Sequence, residues 1–245
     1  MSDAVIVRRE GDCHRLTLNH PERGNALSPA MVRALEQALE TAANDGVALV
    51  VLAGAGRHFC TGLDLSDIDT VDEAELPGRF LAVERLLQSL WAAPFLSLAV
   101  GHGRAIGAGA DLFTACNHRL TAPDGRYRFP GAAFGLVLGT RRLGLRVGPD
   151  RAMDLALSGR DVDAAEALSL GLATELTETA EPEARIAAVL ETARRCPRET
   201  VPAIKRAAYA DYAGCDSDLA ALAASAGRPG LKARILAHKA GVGRG

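Results

Sequence analysis

The sequence predicts an α/β fold followed by a helical C-terminal region. Two short apolar runs, VALVVLAGA at residues 47–55 and FLSLAVG at residues 95–101, are typical of strands buried on both faces. Apolar residues recur at helical spacing between these runs, so strands alternate with helices. From about Pro149 onward most segments have helical spacing, which predicts a helical appendage to the α/β core.

The individual elements follow in chain order. Residues 4–8 and Cys13–Leu18 read as two strands around a turn. Ser28 followed by Pro29 is a favoured helix start, and the Asn-Asp-Gly sequence at residues 44–46 ends that helix. Further helices are predicted at residues 73–92, 107–116, 151–157, 164–170, 181–195, 199–212 and 231–238.

Composition limits the classes of function. The chain has 245 residues and a formal net charge of −2, so no overall field favours nucleic acid or an anionic membrane. No apolar run reaches the roughly 18 to 20 residues of a membrane span, and the N-terminus lacks a secretory pattern. The five cysteines and six histidines follow no metal-ligand spacing. We therefore expect a cytoplasmic protein with free thiols and no metal.

Two glycine-rich turns carry the main functional signal. The first, FCTGLD at residues 59–64, follows the 47–55 strand, and the second, GAGAD at residues 107–111, follows the 95–101 strand. Small residues let backbone N–H groups approach a ligand atom, and the second turn lies at a helix N-terminus. Either turn alone is more often only a tight turn. Together they predict two amides that converge on an oxyanion.

Longer segments specify a family. NHPERGNALSPAMVRAL, GRHFCTGLDL, GHGRAIGAGADLFTACNHRLTAP, RYRFPGAAFGLVLGTRRL and RAMDLALSGRDVDAAEALSLGLATEL occur in this order from about Asn19 to Leu176. Each resembles the corresponding segment of the enoyl-CoA hydratase/isomerase (crotonase) family. The resemblance implies a spiral of ββα units at residues 1–190 and a helical oligomerisation region at residues 191–245. It also implies an acyl-CoA substrate, no cofactor beyond the coenzyme A of that substrate, and a homotrimer or hexamer.

The resemblance also assigns roles to particular residues. The oxyanion-hole amides are those of Leu63 and Ala108, and Asp111 falls at the first catalytic glutamate position. The residues expected to line the path of the substrate are Ala26, Arg57, Thr61, Gly62, Gly107 and Gly131. Among these, Arg57 is placed to meet a phosphate, and Ala26 and Thr61 are placed along the adenine and pantetheine path.

The proton-transfer groups depart from the family pattern. Asp111 is one methylene shorter than the glutamate of the family, and a displacement near 1 Å can cost about 10²-fold in rate. Gly131 follows Pro130 at the place of the second family glutamate, and glycine cannot transfer a proton. The mechanism with two cooperating glutamates therefore does not carry over.

Other side chains near the turns have competing interpretations. His58 and His102 could enter the pocket as acid, base or coenzyme A contact, although a lone histidine is more often structural. Asp64 is expected to brace its turn. Cys60 and Cys116 resemble small core residues rather than nucleophiles. Basic residues of the tail, such as Lys232 and Lys239, could contact coenzyme A phosphates.

Three functions remain open from the sequence. The leading one is an enzyme of the enoyl-CoA hydratase/isomerase type with Asp111 as its inherited acid/base. A second is decarboxylation or carbon–carbon cleavage of an acyl-CoA, which depends mainly on the oxyanion hole. A third is a protein that binds acyl-CoA thioesters with little activity, as the absent glutamate suggests.

Overall fold

A computed structural model describes residues 4–178, 182–209 and 214–242, without the side chains of Cys215 and Val242. Its strands are β1 (Val5–Glu10), β2 (Cys13–Leu18), β3 (Leu49–Gly54), β4 (Leu96–Gly101), β5 (Arg104–Ile106), β6 (His118–Thr121), β7 (Arg126–Arg128), β8 (Val162–Asp163) and β9 (Glu175–Leu176). Its α-helices are α1 (Pro29–Asp45), α2 (Leu76–Ala92), α3 (Ala108–Ala115), α4 (Thr140–Val147), α5 (Pro149–Ser158), α6 (Ala164–Leu170), α7 (Glu183–Arg194), α8 (Thr200–Ala208), α9 (Gly214–Ala226) and α10 (Leu231–Val242). None of these helices has the length and apolar character needed to cross a bilayer.

The strands form two sheets. The larger sheet has the order β1-β2-β3-β4-β6-β9, in which β1 and β2 are antiparallel and every other neighbouring pair is parallel. The smaller sheet has the order β5-β7-β8. Parallel neighbours need crossover connections, which α1 supplies between β2 and β3 and α2 supplies between β3 and β4. The predicted α/β class with a helical C-terminal region is confirmed.

The apolar run of β3 is continuous because both faces of the larger sheet are covered. Val50 and Leu52 belong to the main core, which includes the apolar faces of α1 and α2. Leu49 and Val51 point to the opposite face, where they share a second core with Ile186 of α7. Alternate residues of one strand therefore enter different cores, as expected for a strand with helices on both sides.

The last two helices pack beside the end of the α/β core. Leu222 of α9 and Ile235 of α10 form an apolar cluster with Phe80 of α2. The Arg234 guanidinium Nε of α10 donates to the Phe134 carbonyl over 2.7 Å. Phe134 ends a short 3-10 helix at Pro130–Phe134, so α10 is held against the segment that contains Gly131.

Several element bounds differ from the predictions. Helices α4 and α9 were not predicted, and residues 73–75 form a 3-10 turn before α2. The last predicted helix continues to Val242, whereas that predicted at residues 199–212 ends at Ala208. Residues 179–181 and 210–213 lie outside the described part of the chain. The predicted boundary between residues 190 and 191 falls within α7, and the functional division at that point stays a prediction.

Candidate active site

Hydrogen bonds with Leu27 fix the direction of the Leu63 amide. The Leu27 N–H donates to the Gly62 carbonyl over 2.7 Å, and the Asp64 N–H donates to the Leu27 carbonyl over 3.1 Å. These two bonds make a parallel bridge between Leu27 and Leu63. In such a bridge the N–H of the middle residue points to the opposite side. The Leu63 N–H therefore points away from Leu27.

The Ala108 amide lies in the first turn of α3. Gly107 precedes the helix and donates its own N–H to the Arg128 carbonyl over 2.8 Å. The Asp111 N–H donates to the Gly107 carbonyl over 2.9 Å, which closes the first helical turn. First-turn N–H groups have no partner within their own helix. Among the hydrogen bonds of the described residues, none is donated by the Ala108 or Leu63 amide.

Gly62 brings these two turns together. A Cβ at this position would lie 2.7 Å from the Ile106 carbonyl oxygen and 3.8 Å from the Ala108 nitrogen. The φ angle of Gly62 is +102°, which a residue with a side chain rarely adopts. The approach of the two backbones therefore requires glycine, and it places the Leu63 and Ala108 amides on one cavity.

That cavity has a volume of about 210 Å³ and contains most of the predicted site. Seven of the predicted residues line it, namely Leu63, Ala108, Asp111, Thr61, Gly62, Gly107 and Gly131. The other lining residues are Leu65, Phe80, Ile106, Phe129, Pro130, Ala132, Phe134, Leu136, Leu138, Thr140, Leu143, Ala156 and His238. The two amides and one carboxyl group thus share a largely apolar chamber.

Asp111 is the carboxyl group of this chamber. It is only 5% exposed, and burial raises its pKa to about 8. The positive charge of Arg142 lowers the pKa of Asp111, and the negative charge of Glu84 raises it, but both effects are smaller than that of burial. Near neutral pH the side chain is therefore mostly protonated, whereas an exposed aspartate is ionised.

Gly131 lies on the cavity wall beside open space. A Cβ there would have the Leu136 carbonyl oxygen, at 3.6 Å, as its only neighbour within 4 Å. That distance is an ordinary van der Waals contact. The wall therefore accommodates a Cβ atom at the place where the family pattern has its second carboxylate.

His58 and His102 do not line the cavity, which agrees with the structural role that the sequence favoured for a lone histidine. His58 accepts the Arg104 N–H at its Nδ1 atom over 3.2 Å, and His102 Nε2 lies 3.0 Å from the Gly56 carbonyl oxygen. Burial lowers the pKa of His58. Both rings are held by the loops that carry them because nearby backbone groups need partners.

The remaining predicted residues lie outside the cavity. Ala26 is half-buried and Arg57 is exposed, and neither lines the cavity. Asp64 accepts the Ser66 N–H over 2.9 Å and pairs with Arg23, which is the bracing role expected of it. The thiols of Cys60 and Cys116 are buried, and burial raises the pKa of each to about 12.

Three polar side chains that shape the site were not predicted from the sequence. Thr140 and His238 line the cavity from α4 and α10, and the His238 ring packs edge-on against Phe134 with centroids 4.8 Å apart. Asn25 is fully buried at φ +56°, and its Nδ2 donates to the carbonyls of Ala55 and His58. The Asn-Ala-Leu motif was the available signal for Asn25, while His238 had no local signal.

Comparison with known proteins agrees with this geometry. The sequence model of the enoyl-CoA hydratase/isomerase family matches residues 8–226. The chain belongs to the enoyl-CoA hydratase/isomerase family. A Mycobacterium tuberculosis (strain CDC 1551 / Oshkosh) protein whose name describes it as an enoyl-CoA hydratase, echA6, is 35% identical over 185 residues, or 74% of this chain and 73% of that protein.

Two further relatives are informative. A peroxisomal protein of Arabidopsis thaliana named as a Delta(3,5)-Delta(2,4)-dienoyl-CoA isomerase is 32% identical over 195 residues, or 70% of this chain and 68% of that protein. A crystal structure from Bordetella parapertussis, described as an enoyl-CoA hydratase/isomerase, superposes with a TM-score of 0.94 at 41% identity. It covers 98% of this chain and 99% of that chain.

Substitution Asp111→Asn should change how stability depends on pH. The ordinary aspartate pKa of 3.8 rises to about 8 on folding, so the folded chain binds an extra proton between these values. The free energy of unfolding of the wild type therefore falls as pH rises from about 4 to about 8. Asparagine does not titrate in this interval. The free energy of unfolding of the variant therefore rises relative to that of the wild type, by at most about 6 kcal/mol.

Urea denaturation of both proteins at about pH 5, 6, 7 and 8.5 measures this difference. If the stability difference between the two proteins were constant over that range, Asp111 would not be held protonated by burial.

Proposed function

We propose that this protein is an enoyl-CoA isomerase that moves a double bond along an acyl-CoA thioester. Asp111 would carry the proton, and the Leu63 and Ala108 amides would hold the thioester oxygen. The observation that carries this proposal is the single buried carboxyl group on the same apolar cavity as the two amides.

The proposed reaction needs one proton carrier. The Asp111 carboxylate removes a proton from the carbon next to the thioester carbonyl, and the electron pair moves onto the carbonyl oxygen. The two amides stabilise this dienolate, by about 3 kcal/mol each. Protonated Asp111 then returns a proton to the far end of the conjugated system, which moves the double bond. No atom is gained or lost, and the step needs no metal or redox cofactor.

The raised pKa of Asp111 suits this task. A carboxylate whose pKa is about 8 is a stronger base than an exposed aspartate, which favours removal of a weakly acidic carbon-bound proton. The same shift leaves only a minor ionised fraction at neutral pH. The rate should therefore increase as pH rises towards about 8.

The cavity lining favours an uncharged acyl chain. Its described lining residues include no lysine or arginine, and their only titratable side chains are Asp111 and His238. A malonyl-type carboxylate would enter this chamber without a cation to pair with. Hydration would need a second proton carrier, for which His238 is the available side chain.

Substitution Asp111→Asn should lower isomerase turnover by about 10²- to 10⁴-fold, because the amide keeps the shape but cannot accept the proton. The assay incubates purified protein with 3-enoyl-CoA, 2-enoyl-CoA and malonyl-type thioesters and follows each product. The matched control is Asp154→Asn, at an exposed aspartate of α5 outside the cavity, which should retain wild-type turnover.

Each result of the thioester panel has a distinct meaning. Turnover that does not depend on Asp111 would contradict the catalytic assignment. Decarboxylation that persists in Asp111→Asn would favour the decarboxylase alternative. Binding of every thioester without turnover would favour a thioester-binding protein.

Substitution Gly131→Glu should raise hydratase turnover at least about tenfold above that of the wild type. A Cβ atom fits at this position without a clash, and a second carboxyl group could activate water while Asp111 protonates carbon. The control is Gly131→Gln, which has nearly the same shape without the proton-transfer group. Conversion of 2-enoyl-CoA to its 3-hydroxy product measures the gain, and equal activity of both variants would contradict the predicted role.

The larger setting of the site belongs to the same proposal. Ala26, Thr61 and Arg57 would follow the coenzyme A portion outside the cavity, with exposed Arg57 at a phosphate. Exposed apolar residues on α4 and α5, among them Leu145, Met153 and Leu157, support self-association as a homotrimer or hexamer. The free cysteines among the described residues fit a reducing cytoplasm.

A further inference from the structure

A buried ion pair lies behind the cavity wall. Arg142 of α4 and Glu84 of α2 are each 1% exposed. Arg142 Nη1 and Nη2 donate to the two carboxylate oxygens of Glu84 over 2.9 and 2.5 Å. Such a pair often contributes no more stability than apolar residues of similar volume, because both charges lose their hydration. Its position beside Asp111 suggests another role.

Helix α4 connects this ion pair to the catalytic carboxyl group. The helix begins after Gly139, where a Cβ would collide with Asp111 Oδ1. Thr140 and Leu143 of the same helix line the cavity, and Arg142 lies between them. The turn of α4 that contacts the Asp111 carboxyl group is thus also the turn that Glu84 anchors.

One hydrogen-bond donor of Arg142 has no acceptor among the described residues. This donor is the buried Nε. An unpaired buried donor is costly, so such groups commonly have a functional explanation. The charge of this guanidinium acts on Asp111, because it lowers the pKa of that carboxyl group.

Other charged and titratable side chains lie on the elements around this site. Asp218 of α9 lies 3.7 Å from Arg142 Nη1 and pairs more closely with Arg141. His238 of α10 lines the same cavity. Arg146 bonds to the carbonyls of Thr114 and Cys116 at the far end of α3. Arg104 of β5 is exposed, and its N–H contacts His58 rather than the cavity.

We propose that Arg142 and Glu84 are positioning residues for Asp111. The guanidinium stabilises the carboxylate form of Asp111, and Glu84 limits how strongly it does so. Asp111 can then hold a proton and release it within one catalytic cycle. The catalytic part of this inference rests on the proposed function, whereas the electrostatic part does not. The opposite effects of the two charges on the pKa of Asp111 agree with it.

The decisive experiment locates the Asp111 ionisation without using turnover. The free energy of unfolding is measured against pH for a protein with Asp111 and for the same protein with Asp111→Asn. The difference between the two is determined in the wild-type background and in the Glu84→Gln background. This difference rises with pH and then levels off. The pH at which it levels off, called the transition below, reports where Asp111 loses its proton in the folded chain. Glu84→Gln leaves the Arg142 charge unmasked, so we expect the transition to move to lower pH by about one unit or more.

A second background covers the case in which Glu84→Gln fails to fold. Glu84→Gln combined with Arg142→Gln removes both charges, and the stronger influence of Arg142 predicts a transition at or above the wild-type pH. The control is Lys205→Met, which removes a buried cation that donates to the Ala93 and Phe95 carbonyls. We expect it to reduce stability without moving the transition.

The outcomes separate the two proposals. The same transition in the wild type, in Glu84→Gln and in the double variant would overturn the positioning role. A shifted transition with no matching shift in the pH dependence of kcat/KM would support the electrostatic coupling but contradict catalysis by Asp111.

Discussion

The backbone contact between two turns is the constraint on which the site depends. The Cys60 N–H donates to the Arg104 carbonyl, and the Ile106 N–H donates back to the Cys60 carbonyl, so these segments run side by side. The Gly62 backbone then comes so close to Ile106 and Ala108 that an added Cβ atom would lie 2.7 Å from the Ile106 carbonyl oxygen. Because the contact is made by main-chain atoms, the amides are positioned before any substrate arrives. Preorganisation of this kind is what makes an oxyanion hole effective.

Burial of Asp111 adds a second constraint to the first. The apolar wall of the cavity removes water from the carboxyl group and raises its pKa. Such a group costs stability as pH rises, and structures commonly retain that cost at functional sites. The amides and the acid are therefore parts of one arrangement. In the proposed function the amides stabilise negative charge on oxygen and the acid moves the proton.

Local pattern was sufficient for elements whose residues pack on a regular face. The strand Cys13–Leu18 and the helix Ala164–Leu170 were predicted with the observed bounds. Helix α4 was not predicted, because its sequence TRRLGLRV contains a glycine and three arginines and so shows no regular apolar face. Arg142 can be buried there only because Glu84 faces it from α2, and that pairing is a tertiary contact.

The site was partly predictable for the same reason. The two glycine-rich turns and Asp111 lie in short motifs, so their shared cavity could be predicted. His238 comes from the last helix, and no local signal connects it with a turn more than a hundred residues earlier. His58 and His102 flank the turns in sequence, so the sequence left both a pocket role and a structural role open. In the structure each ring contacts backbone groups of neighbouring segments.

A crystal structure with an unreactive acyl-CoA thioester analogue bound tests the central claim most directly. The thioester oxygen should lie about 2.7–3.1 Å from both the Leu63 and Ala108 nitrogens. The Asp111 carboxyl group should face the carbon next to the thioester. A thioester oxygen that contacts neither amide, or an acyl chain that lies outside the cavity lined by Asp111, would contradict the account.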